Sequence, residues 1–215
     1  MSVSLRITEI FYSLQGETNS IGCPTVFVRL TGCPLRCSYC DTAYAFSGGE
    51  IKTLDTIMAE VRAFKPRYVT VTGGEPLAQP HCWALLTALC DEGFQVSLET
   101  SGALSIANIA PRVSVVLDLK APSSQEMQRN LYSNIALLRP HDQVKFVLGS
   151  IEDYQWAKFK VDEYQLIDKV SAVWFSPVHG ELSPTTLADW IVRDGVQVRF
   201  QLQLHKLLWA DEPGR

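Results

Sequence analysis

Three cysteines, Cys33, Cys37 and Cys40, fall within eight residues of the stretch Thr31-Gly-Cys-Pro-Leu-Arg-Cys-Ser-Tyr-Cys-Asp-Thr42. Gly32 and Pro34 argue against a helix through them, so a loop is expected over 31–42. A loop this tight can turn three sulfurs toward one centre, and thiolates suit zinc, copper(I) and iron–sulfur clusters. A structural zinc site normally closes with four ligands, and His81 or Cys82 would have to supply the fourth. A cubane held by three cysteines leaves one iron free to bind something else. Burial as small apolar side chains is the plainer alternative, but three cysteines in eight residues depart from ordinary cysteine usage.

Other residues carry weaker signals. In Ser13-Leu-Gln-Gly-Glu17, Gln15 offers donor and acceptor groups and Glu17 an acceptor, a pairing suited to an amide-like heterocycle edge. Gly16 permits a tight turn or close backbone approach; a solvated turn is the alternative. Arg29 sits inside an apolar strand, where it is either exposed or paired with an anion whose carboxylate its planar fork would fit. Asp41-Thr42 could be a turn or a helix cap. Gly73 and Gly74 end a strand where a ligand could pass, and Glu75 is either an anchor of that turn or a ligand contact. Polar groups recur at later strand ends, in Glu99-Thr-Ser-Gly102, in Asp118-Leu-Lys120 and in Ser176-Pro-Val-His179. His179 taken alone reads as a surface histidine.

The Cys-x3-Cys-x2-Cys spacing, with Thr72-Gly-Gly-Glu-Pro76 downstream, resembles the radical S-adenosylmethionine (SAM) enzymes. Glu9-Ile-Phe-Tyr-Ser-Leu-Gln-Gly-Glu17 and Cys40-Asp-Thr42 are similar to the 7-carboxy-7-deazaguanine synthase family within them. The resemblance runs from about Ile7 to Lys206 and is strongest in the front half. It implies that Cys33, Cys37 and Cys40 hold a 4Fe-4S cluster and that Thr42 is a magnesium ligand, with substrate and water completing the shell. It places SAM on Gly73, Gly74, Ser101, Asp118, Lys120, Ser176, Pro177 and His179. The substrate, 6-carboxy-5,6,7,8-tetrahydropterin, would meet Leu14, Gln15, Gly16, Glu17, Arg29, Thr72 and His205, with Arg29 on its carboxylate. The implied reaction is hydrogen abstraction by a SAM-derived radical, ring contraction and loss of ammonia, fed by a flavodoxin-like electron donor. A homodimer is implied as well. A glycyl-radical activating enzyme shares the cysteine spacing, but a protein substrate needs no heterocycle-reading pocket. A zinc-stabilised interaction module without catalysis is the rival from another class, separable by metal content.

The elements that must position these residues follow from periodicity. Strands are expected at Leu5–Tyr12, Thr25–Leu30, Tyr68–Thr72, Phe94–Thr100, Val113–Leu119, Gln143–Val147, Ala172–Phe175 and Val198–Leu204, and helices at Lys52–Phe64, Pro80–Glu92, Ser123–Leu138, Glu152–Glu163 and Pro184–Val192. Ser47-Gly-Gly-Glu50 reads as a loop, and a charged tail at 210–215 as frayed. Alternating strands and helices argue for an α/β fold with a mainly parallel sheet. A closed eight-unit barrel typically takes about 250 residues. An incomplete (β/α) barrel of about six mainly parallel strands, of the radical SAM type, is therefore expected for 215 residues in one domain. Its site would lie at the C-terminal strand ends, with both chain ends, through Gln15 and His205, helping to close it.

Composition narrows the class. With 47% hydrophobic and 20% charged residues, a net charge of −4 and no dense basic run, the chain has no nucleic-acid footprint. Met1–Arg6 lacks the apolar core of a signal peptide, and no apolar run reaches the length of a membrane span. A cytoplasmic setting follows, where thiols stay reduced, and Cys23, Cys82 and Cys90 are expected to be free and buried.

Overall fold

The computed structural model describes residues 3–210, 212 and 214. The strands are β1 (Ser4–Leu14), β2 (Pro24–Leu30), β3 (Glu50–Thr53), β4 (Tyr68–Gly73), β5 (Gln95–Thr100), β6 (Ser114–Asp118), β7 (Gln143–Leu148), β8 (Ala172–Pro177) and β9 (Arg199–Phe200). The helices are α1 (Leu54–Ala63), α2 (Cys82–Asp91), α3 (Ile151–Glu163), α4 (Leu166–Lys169), α5 (Pro184–Asp194) and α6 (Leu204–Trp209). All the strands join one sheet in the order β3-β1-β2-β4-β5-β6-β7-β8-β9. From β2 through β4 to β8 the pairings are parallel, giving the six expected core strands, with the two-residue β9 added at the edge. β1 runs antiparallel to both β2 and β3. The sheet is thus an open, incomplete barrel.

The alternation along each strand separates two environments. Val26, Val28 and Leu30 on β2, Val69 and Val71 on β4, Leu98 on β5, Leu117 on β6, and Val144, Phe146 and Leu148 on β7 join the core under the helices. The intervening residues point into the barrel: Arg29, Thr70 and Thr72, Ser97 and Glu99, Asp118, Lys145. Register brings Arg29 beside Thr72, Thr70 beside Ser97, and Asp118 beside Lys145. A strand buried on both faces normally reads as continuously apolar; here the inner face is polar because it lines a site.

Four expectations are corrected. Ser123–Leu138 is not a helix but a series of 3-10 turns at Pro122–Ser124, Met127–Arg129 and Tyr132–Leu137. Side chains compete there for the backbone groups a helix would use. Asn130 bonds both the N–H and the C=O of Lys120 at 2.9 Å, Asn134 bonds the carbonyls of Gly102 and Leu104, and Gln125 sits at φ 63°. Glu50–Thr53, read as loop and helix start, is the edge strand β3, paired with Ser4–Ile7. The last strand is cut to Arg199–Phe200, and Leu204–Trp209 is a helix. All six cysteines are free and Cys82 and Cys90 are buried as expected, but Cys23 is only partly covered. Of the tail expected to fray, Asp211, Pro213 and Arg215 lie outside the described residues, as do Met1 and Ser2.

The barrel mouth is closed by the 15–22 loop and the C-terminal segment. Gln201, 4% exposed, accepts the Thr18 N–H at 2.8 Å and donates back to the Thr18 carbonyl, while Leu204 N–H bonds Gly16 O at 3.0 Å. Asn19 N–H reaches Gln143 Oε1 at 2.8 Å, tying the same loop to β7. Both ends of the chain therefore do seal the site. Among the described residues no helix is long and apolar enough to cross a membrane.

Candidate active site

A cavity of about 460 Å³ opens at the C-terminal ends of the parallel strands, under the cysteine loop. Cys33, Cys37, Cys40 and Thr42 all face it. So do the seven residues expected to meet substrate: Leu14, Gln15, Gly16, Glu17, Arg29, Thr72 and His205. Of the residues expected to hold SAM, Gly73, Gly74, Ser101, Asp118, Lys120 and His179 line it. Ser176 and Pro177 do not. Ser176 is fully buried in β8, and Pro177 borders a smaller recess beside Leu182 and Leu207.

The cysteine loop is pinned through its backbone, and its sulfurs are little engaged: Cys33 accepts the Leu35 N–H at 3.4 Å. Gly32 N–H bonds Ala45 O at 2.8 Å, Glu75 N–H bonds Gly32 O at 2.8 Å, and Ser38 holds the 122–124 turn through its N–H and hydroxyl. Gly73 and Gly74 owe their identity to this packing. A Cβ on Gly73 would stand 2.3 Å from Leu30 O, and one on Gly74 2.3 Å from Gly32 O and 2.7 Å from Cys33 Cβ. The glycines admit a neighbouring backbone as well as bordering the ligand space. The thiols are half-exposed, and burial pushes Cys33 up and Cys37 up to about 11, with Lys120 pulling the other way. Three free thiols on a rigid backbone, open to one cavity, fit an iron–sulfur cluster that keeps an iron for a further ligand. Among the described residues no trio of His, Cys, Asp and Glu side chains gathers closely enough for a single metal ion. Cys82 lies buried in α2, and neither it nor His81 borders the cavity, so neither residue expected as a fourth zinc ligand is placed to serve.

Glu75 proves to be an anchor. It is fully buried and accepts from Leu77 N–H, the Thr100 hydroxyl, and Ser101 N–H at 2.7 Å and Oγ at 2.5 Å. Arg29 donates Nε to Glu9 at 2.7 Å and lies 5.7 Å from the Phe11 ring centre and 5.8 Å from that of Tyr44. One edge of its fork is committed, which aims the rest at the cavity. Gly16 sits against His205: a Cβ there would meet His205 Nδ1 at 2.4 Å. Burial lowers the His205 imidazolium, against the pull of Glu17 and Asp41. Thr42 donates to Asp41 Oδ1 at 2.8 Å. Burial would raise the Asp41 carboxyl, but the Thr42 hydroxyl and the charge of Lys206 hold it low.

The floor is a charged network that motif reading reached only in part. Glu17 and Lys145 form an ion pair across the barrel, and Lys120 pairs with Asp118 at 2.9 Å. Burial works against both ammonium groups, yet Asp118 beside Lys120, and Glu17 and Asp118 around Lys145, keep them charged well above the ordinary lysine value. Gln15 Nε2 donates to Thr70 at 3.1 Å and to Glu99 at 3.3 Å, and Thr72 Oγ1 donates to Glu99 at 3.3 Å. Glu17 Oε1, Asp118 Oδ1 and Ser176 Oγ are buried without a hydrogen-bond partner among the described residues. Glu99, Lys145, Asp41 and Tyr39 also line the cavity but were not among the expected site residues. The period-2 pattern of their strands held the signal for Glu99 and Lys145, since each is a charged residue on the inward face of a strand whose other face is apolar.

Comparison with known proteins agrees with this geometry. Residues 27–143 match the family description Radical SAM superfamily. The chain is 48% identical over 208 residues to the 7-carboxy-7-deazaguanine synthase of Chlorobaculum tepidum, covering 95% of this chain and 94% of that relative. It is 40% identical to the synthase of Koribacter versatilis, covering 97% and 98%, and 38% identical to that of Thermoplasma acidophilum, covering 98% and 100%. Among solved structures, QueE from Escherichia coli matches with a TM-score of 0.71 at 23% identity over 94% of this chain and 95% of that one. Streptococcus suis SuiB bound to its precursor peptide SuiA matches with a TM-score of 0.61 at 15% identity, over 80% of this chain and 46% of that one.

Proposed function

The chain belongs to the 7-carboxy-7-deazaguanine synthase family of the radical SAM superfamily, and from that premise we propose that it converts 6-carboxy-5,6,7,8-tetrahydropterin to 7-carboxy-7-deazaguanine and ammonia. The observation that carries this reading is the meeting, in one cavity, of the three cysteines with Gln15, Glu17, Arg29 and Thr72. When bound, the cluster and SAM supply a carbon radical that abstracts hydrogen from the substrate. Cys33, Cys37 and Cys40 hold the cluster, and Gly73, Gly74, Asp118, Lys120 and His179 border the space for SAM. Gln15 and Glu17 read the heterocycle edge. Arg29, fixed by Glu9, grips the carboxylate. Loop 15–22 and His205 exclude water and orient the ring, which is the protein's main contribution to radical chemistry.

Magnesium on Thr42 is part of the proposal. The hydroxyl and the neighbouring Asp41 carboxylate are hard oxygen donors facing the cavity, suited to a cation that takes its remaining ligands from substrate and water. A flavodoxin-like electron donor, a homodimeric state and a cytoplasmic setting belong to the same reading.

The test is anaerobic turnover of the reconstituted protein with SAM, reductant, magnesium and the tetrahydropterin. Formation of 7-carboxy-7-deazaguanine by mass is expected. SAM cleavage without that product would overturn the substrate assignment, and a protein that takes up zinc but no iron or sulfide would overturn the cluster.

A further inference from the structure

We propose that Glu99 is the proton carrier of this reaction: it gives its proton to the ring nitrogen that leaves as ammonia and takes back the proton released when the contracted ring becomes aromatic. The proposal rests on the substrate and product read above.

The argument begins with charges on the cavity floor. Three carboxylates, Glu17, Glu99 and Asp118, stand there with two ammonium groups, Lys120 and Lys145. The ammonium groups are taken: Lys145 pairs with Glu17, and Lys120 with Asp118. Among the described residues Glu99 has no ion-pair partner. Each of its oxygens accepts one neutral donor, Oε1 from the Gln15 amide and Oε2 from the Thr72 hydroxyl. Two neighbouring carboxylates in a low-dielectric site titrate apart, and the one without a counter-ion keeps the proton. The polar and charged groups acting on Glu99 are Gln15 and Glu17 from the loop after β1, Arg29 from β2, Thr72 from β4 and Lys145 from β7, while its direct partner on β6 is the apolar Val116. Burial, then the Glu17 charge, pushes its carboxyl up, against the pull of Lys145 and Arg29. Arg29 is already bound to Glu9.

Position supports the role. Gln15 and Thr72 are the residues proposed to touch the pterin, and Glu99 bonds both, so its carboxyl stands at the substrate. Loss of an amine needs a proton on the departing nitrogen. As the carbon–nitrogen bond breaks, its electron pair stays on nitrogen and the Glu99 proton joins it. The resulting Glu99 carboxylate then removes a proton from a ring carbon, whose C–H pair becomes the ring double bond. No electron is gained or lost in the exchange, and Glu99 ends as it began.

The test uses the reconstituted enzyme with SAM, reductant and tetrahydropterin deuterated at C6. In Glu99→Gln, product formation is expected to fall by about 10²-fold or more, the usual contribution of a positioned acid. Deuterium should still pass from C6 into SAM, and a species of the unlabelled substrate's mass, contracted but retaining its amine, should accumulate. The wild-type kcat should decline as pH rises and Glu99 loses its proton. Glu99→Asp should recover part of the rate. Difference infrared spectra, taken without substrate, should show a protonated carboxyl band in the wild type that Glu99→Gln lacks. That band and the Asp variant carry the test if the Gln variant fails to take up iron. Wild-type turnover by Glu99→Gln, loss of deuterium transfer together with product, or no missing band would each overturn the proposal. A wild-type enzyme that moves no deuterium from the pterin would instead overturn the substrate reading, and this inference with it.

Discussion

On the cysteine-loop side of the cavity the thiols make, among the described residues, a single hydrogen bond from the protein, Leu35 N–H to Cys33 at 3.4 Å, while the loop backbone is held on three sides. On the floor the order is reversed. Glu17, Lys145, Asp118, Lys120, Gln15 and Thr70 are joined in pairs through their side chains, at or just beyond strands whose backbones are already satisfied by the sheet. The loop thus offers ligands with little prior engagement, and the floor offers a pre-wired field. The contrast separates what the site must acquire from what it brings. Removing a floor charge should damage the fold, and disturbing the loop should damage only what the loop holds.

The sharpest way to break this contrast is Lys145→Met. It leaves Glu17 buried without its partner, a loss of about 3–5 kcal/mol for a broken buried pair. At about 2–4 °C per kcal/mol for a chain of this size, thermal unfolding should fall by roughly 6–20 °C. A melting curve matching wild type would show that the floor is not the stabilising side. Gly74→Ala comes next. Its methyl would press on Gly32 O and Cys33 Cβ, so iron content and the cluster absorbance should drop to a minor fraction, with far-UV circular dichroism unchanged. Full cluster loading in that variant would mean that the loop tolerates displacement. Arg29→Ala tests the boundary between the two sides. Loss of a charge-assisted contact worth about 1.5–3 kcal/mol should raise the substrate KM by roughly 10- to 150-fold, and an unchanged KM would remove Arg29 from the carboxylate. Thr42→Ala should have the smallest effect, keeping the cluster and losing only the response to added magnesium, roughly a few-fold. A magnesium titration identical to wild type would count against the metal assignment.

The sequence was most legible where chemistry and backbone are written in the same few residues. Cys33, Cys37 and Cys40 with Gly32 and Pro34 mark both a ligand set and the loop that presents it, and Val69 and Val71 between Thr70 and Thr72 mark a strand and its inward face. It was least legible where a side chain replaces a backbone partner. The stretch Ser123–Leu138 carries helical spacing, but Asn130 and Asn134 reach out to Lys120, Gly102 and Leu104 and hold it in turns. Those partners are distant in sequence, so no local pattern reports them. The same applies to Glu99 and Lys145, whose importance comes from Gln15 and Glu17 many residues earlier. Gly73 and Gly74 were found for one reason and are needed for a second, the close approach of Leu30 and Gly32.

The two-way hydrogen bonding between Gln201 and Thr18, with Leu204 on Gly16, also sets an order in time. The cysteine loop is translated well before the residues that shut the barrel. At about 5–20 residues per second the interval between Cys33 and Gln201 is on the order of ten seconds or more. Throughout it β4 to β8 are still being made, and the thiols have no C-terminal cover. The pocket is therefore closed only once the segment carrying Gln201 and Leu204 has been made and has docked on Thr18 and Gly16.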